Sequence, residues 1–186
     1  MKKIVITLSV FFFSLVLANA QVSEDMYTVK DGAVIVEKVV PFTVSKDDAS
    51  AAVKSFFLKK LKNSNEAMKN STDDYYVVKI ITSELATHSM GFWHTMGELT
   101  IDVRFKENRM KVSIACGNII NSNKEGTSRK NYNPTEAAPL SKHDSWKTGI
   151  VQNAAEQTFN KLVLWMTALI EELNTAVQNA EAENDW

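Results

Sequence analysis

Two runs of alternating apolar and polar residues meet between residues 97 and 116, and no other stretch of the chain permits so few structures. Leu99, Ile101, Val103 and Phe105 alternate with Glu98, Thr100, Asp102, Arg104 and Lys106. After Glu107-Asn108, Met110, Val112, Ile114 and Cys116 alternate with Arg109, Lys111, Ser113 and Ala115. A period of two is that of a strand buried on one face. A two-residue loop at Glu107-Asn108 sets Lys106 opposite Arg109 and pairs Phe105 with Met110, Val103 with Val112, Ile101 with Ile114, and Leu99 with Cys116. Every apolar residue then meets an apolar one, and a slip of one position would turn each to the wrong face. Asn108 tolerates the left-handed backbone that a tight hairpin turn requires.

The remaining elements follow from weaker signals. Residues 21–32 are polar without a clear period and read as a flexible lead-in. Ala33 to Val44 is rich in β-branched residues and reads as a strand, with Pro41 confined to an edge or a bulge because it has no amide to donate. Ser45 is a good helix cap, with Asp48 three positions on. Ala49, Ala52, Val53, Phe56, Phe57 and Leu61 then recur on one helical face, which predicts a helix ending near Lys62. A polar loop over 63–74 leads to a strand at Tyr75 to Ile81, and Ser83 to Met96 is mixed. Residues 121–147 read as a long polar loop, a helix runs from about Thr148 toward Asn179, and 181–186 form an acidic tail. Strands that alternate rather than run uniformly apolar imply helices on one face only. The fold class is therefore α+β, an antiparallel sheet with two helices on one face, as a single domain over 33–180.

The first twenty residues carry the pattern of a cleavable export signal. Lys2 and Lys3 precede an apolar stretch from Ile4 to Leu17, and Ala18-Asn19-Ala20 offers small side chains for cleavage. That stretch is shorter than the roughly 20 residues a bilayer span needs. The expected mature protein begins at Gln21, is periplasmic or secreted, and keeps no stable membrane span. Its 19 basic residues against 22 acidic ones leave a net charge of −3, which offers no footprint for nucleic acid. The only cysteine, Cys116, rules out an internal disulfide, so packing must hold the fold. Its phase in the hairpin makes it a small buried hydrophobe.

Three features are candidates for function. The hairpin register gathers Arg104, Lys106, Arg109 and Lys111 at the tip, where like charges directly opposite each other are unfavourable. Such a cluster either holds an anionic ligand or partner, or is a solvated face with Asp102 and Glu107 as local counter-charges, its cations guarding against edge pairing. Phe92, Trp93 and His94 lie between Gly91 and Gly97, as either a ligand-contacting segment or an extension of the core, with Phe92 and Met96 on the face opposite Trp93. On the last helix, Leu162, Met166, Leu169 and Leu173 form part of a heptad-like seam. A helix of some 30 residues is about 45 Å long, and ordinary strands span about 17–20 Å. Part of the seam would then overhang and meet a second subunit. Catalytic motifs and metal-spaced cysteines are absent from the sequence, and no cofactor is implied. His88 and His94, six apart, are the material for a composite hydrolase site.

The segment Val39-Val40-Pro41-Phe42-Thr43-Val44-Ser45-Lys46-Asp47-Asp48 and the hairpin Val103 to Ile114 resemble a family of exported Bacteroides-type proteins with a TBP-like fold. Arg109 supplies the basic residue that members carry after the turn, while Asn108 stands where they usually have glycine. The resemblance covers roughly residues 33–120. It implies a curved antiparallel sheet with helices on one face, and it supplies no activity, because none is established for the family. The function expected from all of this is a non-enzymatic exported binding or envelope-associated module. A His88/His94 hydrolase and a structural dimer through the final helix are the alternatives.

Overall fold

The computed structural model describes residues 22–61, 72, 74–88, 93–123, 125–126, 129–132, 134 and 149–184. The export segment 1–20 and Phe92 lie outside these residues. A 3-10 turn at Glu24–Met26 precedes β1 (Thr28–Lys30), β2 (Ala33–Pro41), α1 (Lys46–Lys60), β3 (Tyr75–Ile81) and β4 (Ala86–His88). Then come β5 (Trp93–Lys106), β6 (Arg109–Asn123), β7 (Arg129–Tyr132) and α2 (Gly149–Asn184). The sheet is antiparallel with strand order β1-β2-β6-β5-β3, while β4 adds to β5 and β7 adds to β6.

The central hairpin has the register its alternation predicts. Lys106 pairs with Arg109, Phe105 with Met110, Val103 with Val112, Ile101 with Ile114 and Leu99 with Cys116. Asn108 takes the left-handed conformation at φ 60°. Its carbonyl accepts the Phe42 amide at 3.0 Å, tying the hairpin tip to the segment that enters α1. Below Cys116 the pairing shifts: Leu99 faces Cys116 but Glu98 faces Asn118, so Gly117 is an extra residue in β6. The bulge moves the inward parity of β6 from even to odd positions, so Ile119 joins the core cluster opposite Gly97, while Ile120 is buried on the other parity.

Several expectations need correction. The described part of the lead-in, residues 22–32, is not loose: β1 pairs with β2 through a turn at Asp31 (φ 51°) and Gly32 (φ 78°). An Asp-Gly pair with both residues left-handed is the strongest local hairpin signal. The strand after the lead-in stops at Pro41, where β1 no longer covers β2, so Pro41 does sit on an edge. The long polar loop is shorter than its composition predicts, because β6 runs on to Asn123 and β7 takes residues 129–132. The last helix passes Asn179 and takes in the start of the acidic tail, to Asn184.

Both helices cover one face of the sheet. Ser45 caps α1 as expected, its hydroxyl accepting the Asp48 amide at 3.1 Å and donating to the Asp48 carboxylate at 2.7 Å. Ala49, Val53 and Phe57 enter the core, and the Ser50 and Tyr76 hydroxyls meet at 2.9 Å inside it. From α2 come Phe159, Leu162, Val163, Met166, Leu169, Ile170, Leu173 and Val177. The backbone of β5 approaches closely at Gly97, where a Cβ would stand 3.0 Å from the Leu162 side chain. Lys38, on the core-side parity of β2, reaches past the apolar layer to Glu171, and Lys60 of α1 reaches Glu172.

This packing removes the seam from the surface. Leu162, Met166, Leu169 and Leu173 are all buried within the protomer, so they are not available to a second copy. An overhang requires strands of ordinary length. β6 has 15 residues, about 50 Å at 3.3 Å each, and the 36-residue α2 is about 54 Å long. The sheet offers a floor nearly as long as the helix. Among the described residues no helix is long and apolar enough to cross a membrane.

The left-handed turn residue gives a direct test. Asn108→Val forces a β-branched side chain into a conformation that costs about 1–2 kcal/mol, whereas Asn108→Gly relieves it. Urea unfolding should show a lowered midpoint for the valine variant and an unchanged or raised one for the glycine variant.

Candidate functional site

The parity that turns Val103, Phe105, Met110 and Val112 into the core turns their neighbours onto the face without helices. Arg104 and Lys106 of β5 and Arg109 and Lys111 of β6 thus stand together, and β2 adds Val39 as the register partner of Lys111. These five residues line a concavity of about 350 Å³ at the tip end of the open face. Val39 is 56% exposed, unusual for a valine in the body of a sheet, and forms the apolar wall of this hollow.

The four cations are not equivalent. Arg104 donates from Nε to Asp102 at 2.9 Å and from Nη2 to the other carboxylate oxygen at 3.0 Å, and its guanidinium lies 5.9 Å from the centre of the Tyr75 ring. The Lys111 ammonium is 3.0 Å from a Glu37 carboxylate oxygen. Hydrogen bonds from Lys111 and Ser113 hold the Glu37 carboxyl below the usual carboxylate range, with the Lys111 and Lys30 charges adding to the effect. Lys106 and Arg109 form no ion pair among the described residues. The row nearer the sheet centre is therefore neutralised, and the row at the tip is not. Glu37 was invisible as part of this site because it comes from β2, far away in sequence.

The second candidate segment is only partly placed. Trp93 begins β5 opposite Asn123, its side chain outside the described residues along with Phe92. The exposed patch expected from Met96 is not open at that residue: Met96 is half-buried and pairs with Ile120, which is buried. His94 puts Nδ1 on the Glu84 carboxylate, while Nε2, the nitrogen a general base would present, is buried without a hydrogen-bond partner among the described residues. His88 pairs with Trp93 and His94 with Thr87, so the histidines occupy alternating register positions and the ladder does not bring them together. The register gives no support to a composite His88/His94 site, the His88 side chain lying outside the described residues. Among the described residues no group of three or more His, Cys, Asp or Glu could hold a metal ion. Cys116 is buried, and desolvation pushes its thiol up to about 11, which leaves it protonated and inert at neutral pH.

The architecture is that of the TBP-like α+β proteins. A TBP-like protein from Parabacteroides distasonis superposes with a TM-score of 0.59 at 16% identity, covering 82% of this chain and 97% of that one. A DUF4468 family protein from Bacteroides ovatus gives 0.55 at 17% identity, covering 83% and 91%. Identities this low establish the fold, which the resemblance of the strand-to-helix segment and the hairpin had implied. No family model and no curated protein matches the sequence.

The Glu37–Lys111 pair makes a pH prediction. A carboxylate whose folded pKa lies below its ordinary 4.5 stabilises the fold above that pH and loses the contribution as pH falls through the folded value. The difference in urea midpoint between wild type and Glu37→Gln should stay constant above pH 6 and shrink steadily below 4.5.

Proposed function

We propose that this protein is an exported, non-enzymatic binding module that holds an anionic ligand on the open face of its sheet. One observation carries the reading: four cations and an exposed valine converge on a single hollow, two of the cations in no ion pair among the described residues. A merely solvated face has no need of directly opposed cations, which repel each other across the ladder. A hollow of about 350 Å³ is at the lower end of the range for small-ligand sites. Export rests on the Lys2-Lys3, apolar, Ala18-Asn19-Ala20 pattern, and leaves small molecules and envelope components as partners in place of nucleic acid.

Titration of the purified protein with inorganic phosphate, sulfate and citrate, followed by amide chemical shifts, tests the binding reading. At least one anion should shift the residues around Arg109. Lys106→Ser combined with Arg109→Ser should weaken that binding at least tenfold, since each charge-assisted hydrogen bond contributes about 1.5–3 kcal/mol. A wild type indifferent to all three anions, or a double variant that binds equally well, overturns it. Export is tested separately by N-terminal sequencing of protein from an expressing bacterial host. A chain starting at Gln21 supports the reading, and one retaining Met1 and its apolar stretch refutes it.

A further inference from the structure

The arrangement of charge around the hollow is more selective than a basic patch. Cross-strand neighbours have Cβ atoms about 5 Å apart, and residues two apart on one strand are about 6.7 Å apart. Lys106–Arg109 and Arg104–Lys111 thus form two short rows, one behind the other. The back row is held by Asp102 and Glu37, both of which flank Ser113 in the ladder. Asp102 and Glu37 answer the back row, whereas the front row pairs with no carboxylate among the described residues, the turn residue Glu107 included.

An extended polyanion is poorly served by this layout. A second negative group one step along the face would meet Arg104 and Lys111, already answered by Asp102 and Glu37, and two steps along it would meet those carboxylates themselves. The neutralised row therefore confines negative charge to the tip. Beside it the surface turns apolar: Val39 borders Lys111, and the Tyr75 ring lies beside Arg104. The ligand that matches is compact at its charged end, carries two negative charges on one centre, and has an apolar or aromatic body.

Resting on the anion-binding reading above, we propose that the hollow recognises a phosphomonoester on a small apolar or aromatic body, with Lys106 and Arg109 as the primary contacts. A phosphomonoester is close to doubly charged above pH 7, because its second pKa is about 6. Its three terminal oxygens can accept from the Arg109 fork and the Lys106 ammonium together. A sulfate ester has the same shape and one charge. A dicarboxylate has two charges on separate centres, of which only one fits the front row. The concavity admits a single-ring body, which points to a soluble ester in preference to a lipid surface.

Calorimetric titration at pH 7.5 with phenyl phosphate, phenyl sulfate and inorganic phosphate tests this. Phenyl phosphate is expected to bind about tenfold more tightly than phenyl sulfate and severalfold more tightly than inorganic phosphate. Val39→Ser should abolish the advantage over inorganic phosphate, and Glu37→Gln should tighten phenyl phosphate binding by releasing Lys111. Equal affinity for the two phenyl esters overturns the phosphomonoester inference and leaves the anion-binding reading standing. Failure of all three ligands to bind refutes the phosphomonoester, and the anion-binding reading falls with it only if sulfate and citrate also leave the amide shifts unchanged. Co-sedimentation with vesicles containing phosphatidic acid, in a protein that ignores phenyl phosphate, would assign the site to a membrane surface and refute the soluble ligand.

Discussion

The pairing of β5 with β6 in one register decides both surfaces of this protein. Odd positions on β5 and even positions on β6 make the floor on which the helices pack, from Leu99 to Phe105 and from Met110 to Cys116. The intervening positions make the cationic hollow on the other side. Neither surface can be altered in register without the other, because a one-residue slip exchanges them completely. The left-handed Asn108 at the turn and the tie from its carbonyl to Phe42 hold this register at the end where the hollow lies.

The parts of the fold that were legible in the sequence are those where a local pattern agrees with its long-range partner. The hairpin was readable because both strands alternate and the alternations are complementary. Ser45 was readable because a capping residue acts on its own helix. The misses have physical reasons. Thr28–Lys30 is exposed throughout, so β1 shows no apolar period, and the Asp31-Gly32 turn was its only signal. The end of β6, Asn121-Ser122-Asn123, and β7, Arg129–Tyr132, are polar in composition, which makes strand read as a loop. The dimer seam was misjudged because sequence period reports an apolar helix face and not the length of what covers it.

The site was legible to a different degree. The four cations and their opposition followed from the hairpin alone. Their division into a tethered and an untethered row did not, because Glu37 arrives from β2 and meets Lys111 only once the sheet is complete. His94 could be located but not interpreted, since its value depends on which ring nitrogen is presented and the one left without a partner is buried. Charge count in sequence gives the sign of a surface, whereas selectivity depends on which charges are already answered.

The place of α2 in the core has a consequence for how the chain must be made. Eight of the buried apolar residues lie after residue 158, and β2 finds its partner in β6 some seventy residues later, as in Val40 against Met110. Synthesis proceeds from the N-terminus at about 5–20 residues per second. The apolar faces of β2 and α1 therefore wait for seconds before β6 pairs with β2, and for several more before α2 closes the layer. Pairings this distant along the chain are slow to form. For a protein exported as proposed, that delay is useful: a chain unable to complete its interior early stays loose enough to be drawn through a narrow channel, and gains its shape only when the last helix follows.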